Sequence, residues 1–242
     1  MIINGLYKTI VSLILWPIWY LFFFPSLFII YLLIYILPQK KYYFFVKPIS
    51  WIYCFLAGQW LIKDSQPPSL NGQPYLYLFN HVSMFDQFMI GAFISHHITA
   101  IGAKEIFRYP IFGNVIKRYG AVPITRNRLK EALNSLEGVE RAINNGISFL
   151  IAPEGTRTLT GEMGLFKKGP FHLAKNTGVT IVPIGLLGGL KAKIKNDWRL
   201  KPGILRIRFG APIQSDEYLH LSVEEISDLV KKRIQRLLDK GK

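Results

Sequence analysis

The stretch LYLFNHVSMFD at 76–86 closes an apolar run with four polar side chains, Asn80, His81, Ser83 and Asp86. The preceding YLYLF (75–79) reads as a strand, so His81 falls just past its C-terminal end, where open α/β sheets place their sites. Two side chains five residues apart diverge within one helix, but a turn followed by a helix lets a first-turn residue reach back. Asp86 can then orient the imidazole and hold its tautomer, leaving His81 to act as general base on a hydroxyl. Ser83 suits the helix N-cap and Asp86 the acidic capping partner three residues on. A plainer role fits the same residues: a histidine that satisfies the turn, with Asp86 as the helix cap.

A second stretch, IAPEGTRTLTGEMGLFKKG, also follows a strand pattern, ISFLIA at 147–152. Pro153 ends that run, and Glu154, Gly155, Thr156 and Arg157 follow. Gly155 permits close backbone approach, and the planar fork of Arg157 matches a phosphate. Lys167, Lys168 and Gly169 lie within reach of the same region. In GAVPITRNR, Gly120 starts a short strand and Arg126 ends it with another guanidinium. Two arginines at strand ends, with a His–Asp pair at a third, describe a cleft for an anionic substrate.

The elements that must hold these residues are legible in the pattern. YLYLF, ITAIG (98–102), ISFLIA, VTIVPIGLL (179–187) and ILRIRFG (204–210) are short apolar runs bounded by turn residues, the mark of strands. Between them, Leu129, Leu133, Leu136 and Ile143 recur at helical spacing, and Gly146 supplies a C-terminal stop. The last segment opens with Ser222 and Glu225 as a capping box and carries Val223, Ile226, Val230, Ile234 and Leu237 as one stripe. Such alternation predicts an α/β domain, a mostly parallel or mixed sheet flanked by helices. The Pro- and Gly-rich DSQPPSLNGQP (64–74) reads as a linker, which divides the chain into residues 1–63 and an α/β domain over 64–242.

Residues 1–63 predict a membrane anchor. Thr9 to Gln39 carries no charge and is flanked by Lys8 and Lys40-Lys41, more than the ~18–20 apolar residues that cross a bilayer core. A second apolar stretch, Tyr42 to Ile62, follows almost at once. Two arrangements remain open: a tilted span with an interfacial second helix, or a helix pair embedded in one leaflet, which Lys40, Lys41 and Lys47 favour. Thirty Lys and Arg against fifteen Asp and Glu give a formal charge of +15, which points to an anionic partner such as an anionic bilayer or a phosphorylated substrate. The aromatics concentrate in the apolar N-terminus instead of alternating with basic residues, so nucleic acid is not the expected partner. The single Cys54 lies in an apolar run and cannot form an internal disulfide.

NHVSMFD resembles the N-H-x4-D block of the glycerolipid acyltransferase superfamily, GAVPITR its second block, EGTR its third and IVPIG its fourth. The four stand in the superfamily's order over residues 75–190, and AKEIFRYPIFG resembles its lead-in to the second block. The member type most resembled is the bacterial 1-acyl-sn-glycerol-3-phosphate acyltransferase. The resemblance implies that His81, oriented by Asp86, deprotonates the free hydroxyl of lysophosphatidate. That hydroxyl attacks the thioester of acyl-CoA or acyl-carrier protein and gives phosphatidate, with no acyl-enzyme. Arg126, Glu154, Gly155, Thr156 and Arg157 match the acceptor-binding blocks, where the arginines would hold the phosphate. Lys104 in AKEIF would be a further phosphate or oxyanion contact. No cofactor and no metal is implied, and His96-His97 is expected to bind none. The cytosolic donors imply an active site on the cytoplasmic face of the membrane.

Three alternatives stay open on the sequence. A relative of the same family would acylate glycerol-3-phosphate, a lysophospholipid or a lyso-aminolipid. A hydrolase using Ser83 beside His81 would release fatty acid with no acceptor. A non-catalytic basic membrane protein would leave His81 and Asp86 dispensable.

Overall fold

The computed structural model describes residues 2–69, 71–125 and 129–240. All five residues of β2 (Tyr75–Phe79) are buried, because helices cover both faces of a parallel sheet and alternate side chains must each find a core. Tyr75, Tyr77 and Phe79 join one hydrophobic cluster, while Leu76 and Leu78 join the other.

In chain order the elements are α1 (Ile2–Ile36), α2 (Tyr43–Leu56), β1 (Gln59–Lys63), β2, α3 (Asp86–Gly91), β3 (Ile98–Ala103), α4 (Phe112–Arg118), β4 (Val122–Ile124) and α5 (Leu129–Asn144). They continue with β5 (Ser148–Ile151), α6 (Gly169–Thr177), β6 (Thr180–Leu187), α7 (Gly189–Ala192), β7 (Gly203–Phe209), α8 (Ser215–Tyr218) and α9 (Val223–Asp239). The strands form one mixed sheet in the order β1-β7-β6-β2-β5-β3-β4. Only β6 and β7 pair antiparallel; β1 with β7, and every pair from β6 to β4, run parallel. The expected mixed α/β sheet with flanking helices is therefore what forms.

One face packs Trp19 of α1, Tyr53 and Cys54 of α2 and Met89 and Ile90 of α3 against the tyrosines of β2. The other face takes Val139 and Ile143 of α5, Phe171 of α6, Tyr218 of α8 and Ile226, Val230 and Ile234 of α9. The capping box predicted at the head of α9 is present: the Ser222 hydroxyl accepts from Glu225 N–H, and Glu225 accepts from Ser222 N–H at 2.7 Å.

Helix α1 runs through Pro17 and Pro25 without ending, and Gly5–Ile36 is long and apolar enough to cross a membrane. Its inner side is bonded to the domain along its length. Trp16 Nε1 donates to Trp198 O at 2.8 Å, Trp19 Nε1 to Tyr53 O at 3.1 Å, and Arg118 Nε to Ile34 O at 2.7 Å. The end of the second apolar stretch differs from the expected anchor helix. Gln59–Lys63 is β1, whose five residues pair with Gly203 to Ile207 of β7, so this edge of the sheet is built from the segment assigned by composition to the membrane. Leu61 is buried there while Trp60 remains exposed, a half-buried pattern that a strand pairing resolves and composition does not.

Candidate active site

Five parallel strands end on the same edge of the sheet, and each is followed there by a polar segment. His81 follows β2, Lys104 follows β3, Thr125 follows β4, Pro153–Arg157 follows β5, and Gly188–Lys195 follows β6. Asn80 fixes the first of these to the last: its Nδ2 donates to Leu186 O at 2.9 Å and its Oδ1 accepts Leu186 N–H at 2.8 Å.

Asp86 is 1% exposed and opens α3. Its Oδ2 lies 2.7 Å from His81 Nδ1 and accepts the N–H groups of Val82 at 2.8 Å and Ser83 at 3.0 Å. Backbone N–H groups only donate, so Oδ2 is an acceptor and the proton in the dyad belongs to His81 Nδ1. Nε2 is left as the basic nitrogen. Burial pushes the Asp86 carboxyl upward, while its bonds from His81, Ser83 and Val82 oppose that shift.

The cap expected at Ser83 is not the one that forms. The N-cap of α3 is Phe85, with no side-chain cap, and the Ser83 hydroxyl is buried and donates to Lys193 O at 3.2 Å. Asp86 instead reaches back to the turn, so one carboxylate ties the backbone and the imidazole together. The Ser83 hydroxyl is thereby committed to a carbonyl.

Glu154 cross-links the two loops. Its Oε1 accepts His81 N–H at 2.8 Å and its Oε2 accepts Gly164 N–H at 2.9 Å, while Thr158 N–H donates to His81 O at 2.9 Å. The His81 backbone is therefore held on both its polar groups by the segment after β5. Gly155 adopts φ +69, a left-handed turn that favours glycine, and the end of the Lys167 side chain lies against it.

His81 and Asp86 line a cavity of about 740 Å³. Phe79, Ile101, Ile124, Leu136 and Leu150 form apolar walls, and Lys167, Lys168 and His172 lie at its basic side. An apolar cavity with a few convergent polar groups is the shape of a site for a chain-like ligand with one reactive end.

The family model described as Acyltransferase matches residues 61–187. The chain belongs to the Acyltransferase family. A curated relative from Cocos nucifera, a 1-acyl-sn-glycerol-3-phosphate acyltransferase, is 31% identical over 177 residues, 71% of this chain and 57% of that protein. A relative of the same name from Saccharomyces cerevisiae is 28% identical over 181 residues, 74% of this chain and 59% of that protein. The chain thus spans somewhat over half the length of these curated relatives. The crystal structure of the 1-acyl-sn-glycerophosphate (LPA) acyltransferase PlsC from Thermotoga maritima matches with a TM-score of 0.82 at 19% identity, over 98% of this chain and 96% of that one. At that identity the likeness is one of fold.

Of the site residues expected from sequence, the acyltransferase fold brings His81, Asp86, Glu154 and Gly155 into direct contact or onto one cavity. Arg157 is half-buried and lies outside the cavity lining, close enough to Lys193 for the two charges to repel. The exposed Thr156 accepts Lys195 Nζ on its hydroxyl at 2.8 Å. Lys104 is exposed at the head of the 3₁₀ turn that follows β3. Arg126 lies outside the described residues. Sequence reasoning did not single out Lys193 and Lys195, which follow α7 after β6; the Lys193 carbonyl takes the Ser83 hydroxyl and Lys195 Nζ donates to Thr156, contacts between distant loops that no local spacing signals.

Proposed function

We propose that this chain transfers a fatty acyl group from a thioester, acyl-CoA or acyl-carrier protein, to the sn-2 hydroxyl of 1-acyl-glycerol-3-phosphate, giving phosphatidate and the free thiol. The observation that carries this reading is the 2.7 Å bond from His81 Nδ1 to a buried carboxylate at the wall of a largely apolar cavity. The family membership and the printed activity of the relatives support the same reaction.

In this mechanism His81 Nε2 takes the proton of the acceptor hydroxyl as the oxygen attacks the thioester carbonyl. The carbonyl electrons return, the carbon–sulfur bond breaks, and the imidazolium returns its proton to the departing thiolate. Asp86 holds the tautomer and stabilises the imidazolium. The apolar cavity takes an acyl chain, Arg157 takes the acceptor phosphate with Lys104 as a further contact, and Arg126 belongs to the same binding block. Glu154 acts through the backbone it holds, as a positioning residue.

The outer side of α1 serves as the membrane contact. Leu13, Leu21, Phe24, Phe28 and Ile36 are exposed along it. Because the inner side is bonded to the domain from Trp16 to Ile34, the helix lies along the domain and enters one leaflet without leaving it. A lipid acceptor then reaches the site laterally, from an anionic bilayer held by the basic surface, with the active site on the cytoplasmic side where the donors are.

Purified full-length protein in nanodiscs tests the reading. It receives palmitoyl-CoA, then palmitoyl-acyl-carrier protein, with lysophosphatidate, glycerol-3-phosphate, lysophosphatidylethanolamine and a lyso-aminolipid as acceptors. Phosphatidate from lysophosphatidate supports the proposal. Product from another acceptor alone replaces the substrate, and free fatty acid with no acylated product overturns it.

A further inference from the structure

The loop that joins the 3₁₀ turn after β3 to α4 has a strained backbone. Ile111 adopts φ 60 and ψ −63, and among the described residues it is the one non-glycine position with positive φ. Phe112 N–H donates to Pro110 O at 2.6 Å, which closes a γ-turn of the rare, strained hand around it. A β-branched residue is costly there and glycine is not, so the turn persists only because its surroundings hold it. Both flanks are pinned. Gly113 N–H donates to Tyr109 O at 2.8 Å and Val115 N–H to Ile111 O at 2.9 Å, while a Cβ on Gly113 would collide with Phe107 O. This fixed loop holds apolar side chains out of the domain. Tyr109 is 61% and Ile111 43% exposed, with Pro110 exposed between them.

The loop stands beside α1 and beside the cavity. Phe112, the next residue, packs with Val115 of α4 against Leu27 and Ile34 of α1. At the other end of α4, Arg118 donates to Ile34 O and lies 4.4 Å from the Tyr35 ring. Tyr109 and Ile111 thus border the half of α1 on which Phe28, Tyr35 and Ile36 are uncovered. Arg108, Lys117 and Arg118 are exposed around the tip, against the single acid Glu105. An apolar tip ringed by cations matches a bilayer of acyl chains under anionic headgroups. On its other side the loop leaves β3 at Ala103, which lines the cavity. We propose that Tyr109 and Ile111 insert into an anionic bilayer as a second membrane contact, outside α1, at the rim of the cavity. The insertion stands on this surface alone. That it sets the cavity mouth against the leaflet holding the acceptor rests on the function proposed above.

The test uses the full-length protein in nanodiscs of phosphatidylcholine and phosphatidylglycerol, with brominated acyl chains as quenchers. Tyr109→Cys, Leu21→Cys and Leu219→Cys each carry a nitrobenzoxadiazole label, which the buried Cys54 does not take up. Leu219 is 43% exposed at the end of α8, away from α1, and serves as the aqueous reference. The probe at 109 should be quenched about as strongly as the one at 21 and at least about twofold more than the one at 219. Equal quenching at 109 and 219 overturns the proposal. A second variant carries no label. In Tyr109→Ser/Ile111→Gly, relief of the strained φ offsets the freedom glycine adds to the unfolded chain, so Tm in detergent should stay within about 2 °C of wild type. Its KM for lysophosphatidate in nanodiscs should rise about 3- to 10-fold, with the rate on a short-chain, water-soluble lysophosphatidate unchanged. Quenching at 109 with an unchanged KM keeps the membrane contact and removes its part in acceptor delivery. A lowered Tm marks the two side chains as packed within the domain and overturns the proposal. So does self-association in detergent that the double variant abolishes, without quenching at 109, which puts a second copy on the patch. Should the wild type acylate no acceptor, the reaction proposed above fails while the quenching still decides this contact.

Discussion

At the scale of single residues, the site leaves its buried carboxylates fully engaged. Asp86 Oδ2 serves Val82, Ser83 and His81 at once, so its role as an orienting carboxylate and its role in the turn cannot be separated. Asp86→Asn keeps a carbonyl oxygen for the backbone but loses the charge that holds the tautomer. It should lower kcat by about 10²–10⁴ with little change in either KM, read by steady-state kinetics; an unchanged kcat would return Asp86 to a plain helix cap. Glu154 carries the opposite lesson. Its place in EGTR reads as a substrate contact, yet both carboxylate oxygens are used on His81 N–H and Gly164 N–H. Glu154→Gln leaves one of those buried N–H groups facing an amide NH₂, at a cost of about 1–3 kcal/mol. A lower Tm and a lower kcat with an unchanged acceptor KM are expected; a raised acceptor KM at unchanged Tm would make it a substrate ligand after all. Neither bond was legible in the sequence, because the partners are backbone groups, one from the distant His81 turn and one from the loop that returns at Gly164.

At the scale of elements, legibility followed burial. The strands over 75–79, 98–103, 148–151, 180–187 and 203–209 stand where apolar runs and turn residues placed them, since a strand covered on both faces is apolar throughout. β1 was hidden because Trp60, Leu61 and Ile62 continue an apolar stretch that already suited a membrane. Only its pairing with β7 distinguishes it. The short helix α7 was also unread, and its Gly189 packs against the turn that holds His81 and Asp86. Gly189→Ala would drive a methyl to within 2.9 Å of Ser83 and Val82. The expected cost is about 1–3 kcal/mol of overpacking, seen as a Tm reduced by about 2–4 °C per kcal/mol, with kcat falling as His81 and Asp86 shift. Normal melting and normal kcat would show that the turn has room to yield.

At the scale of the whole molecule, the proposed function joins the basic charge, the apolar outer side of α1 and the cavity at the sheet edge in one arrangement, in which a lipid acceptor would move from bilayer to His81 without crossing water. Leu21 and Phe24 are 78% and 61% exposed, so replacing both with Glu removes membrane contact without opening the core. Flotation with anionic vesicles should show a smaller bound fraction for Leu21→Glu/Phe24→Glu at an unchanged Tm, and equal flotation would place the membrane contact elsewhere. The fold class and the ordered motif blocks were readable from sequence because they rest on periodicity and spacing. The cross-links from Glu154 to the His81 backbone and from Ser83 to Lys193 O were not, because those loops meet only after the sheet has formed. The central claim is that His81 activates an acceptor hydroxyl for acyl transfer, and one measurement reaches it most directly. Phosphatidate formed from lysophosphatidate and palmitoyl-CoA is followed by mass spectrometry for wild type and His81→Ala in nanodiscs. The account predicts steady product from the wild type and a rate lower by about 10²–10⁴ in His81→Ala, with acceptor KM nearly unchanged. Equal rates in the two proteins would contradict it.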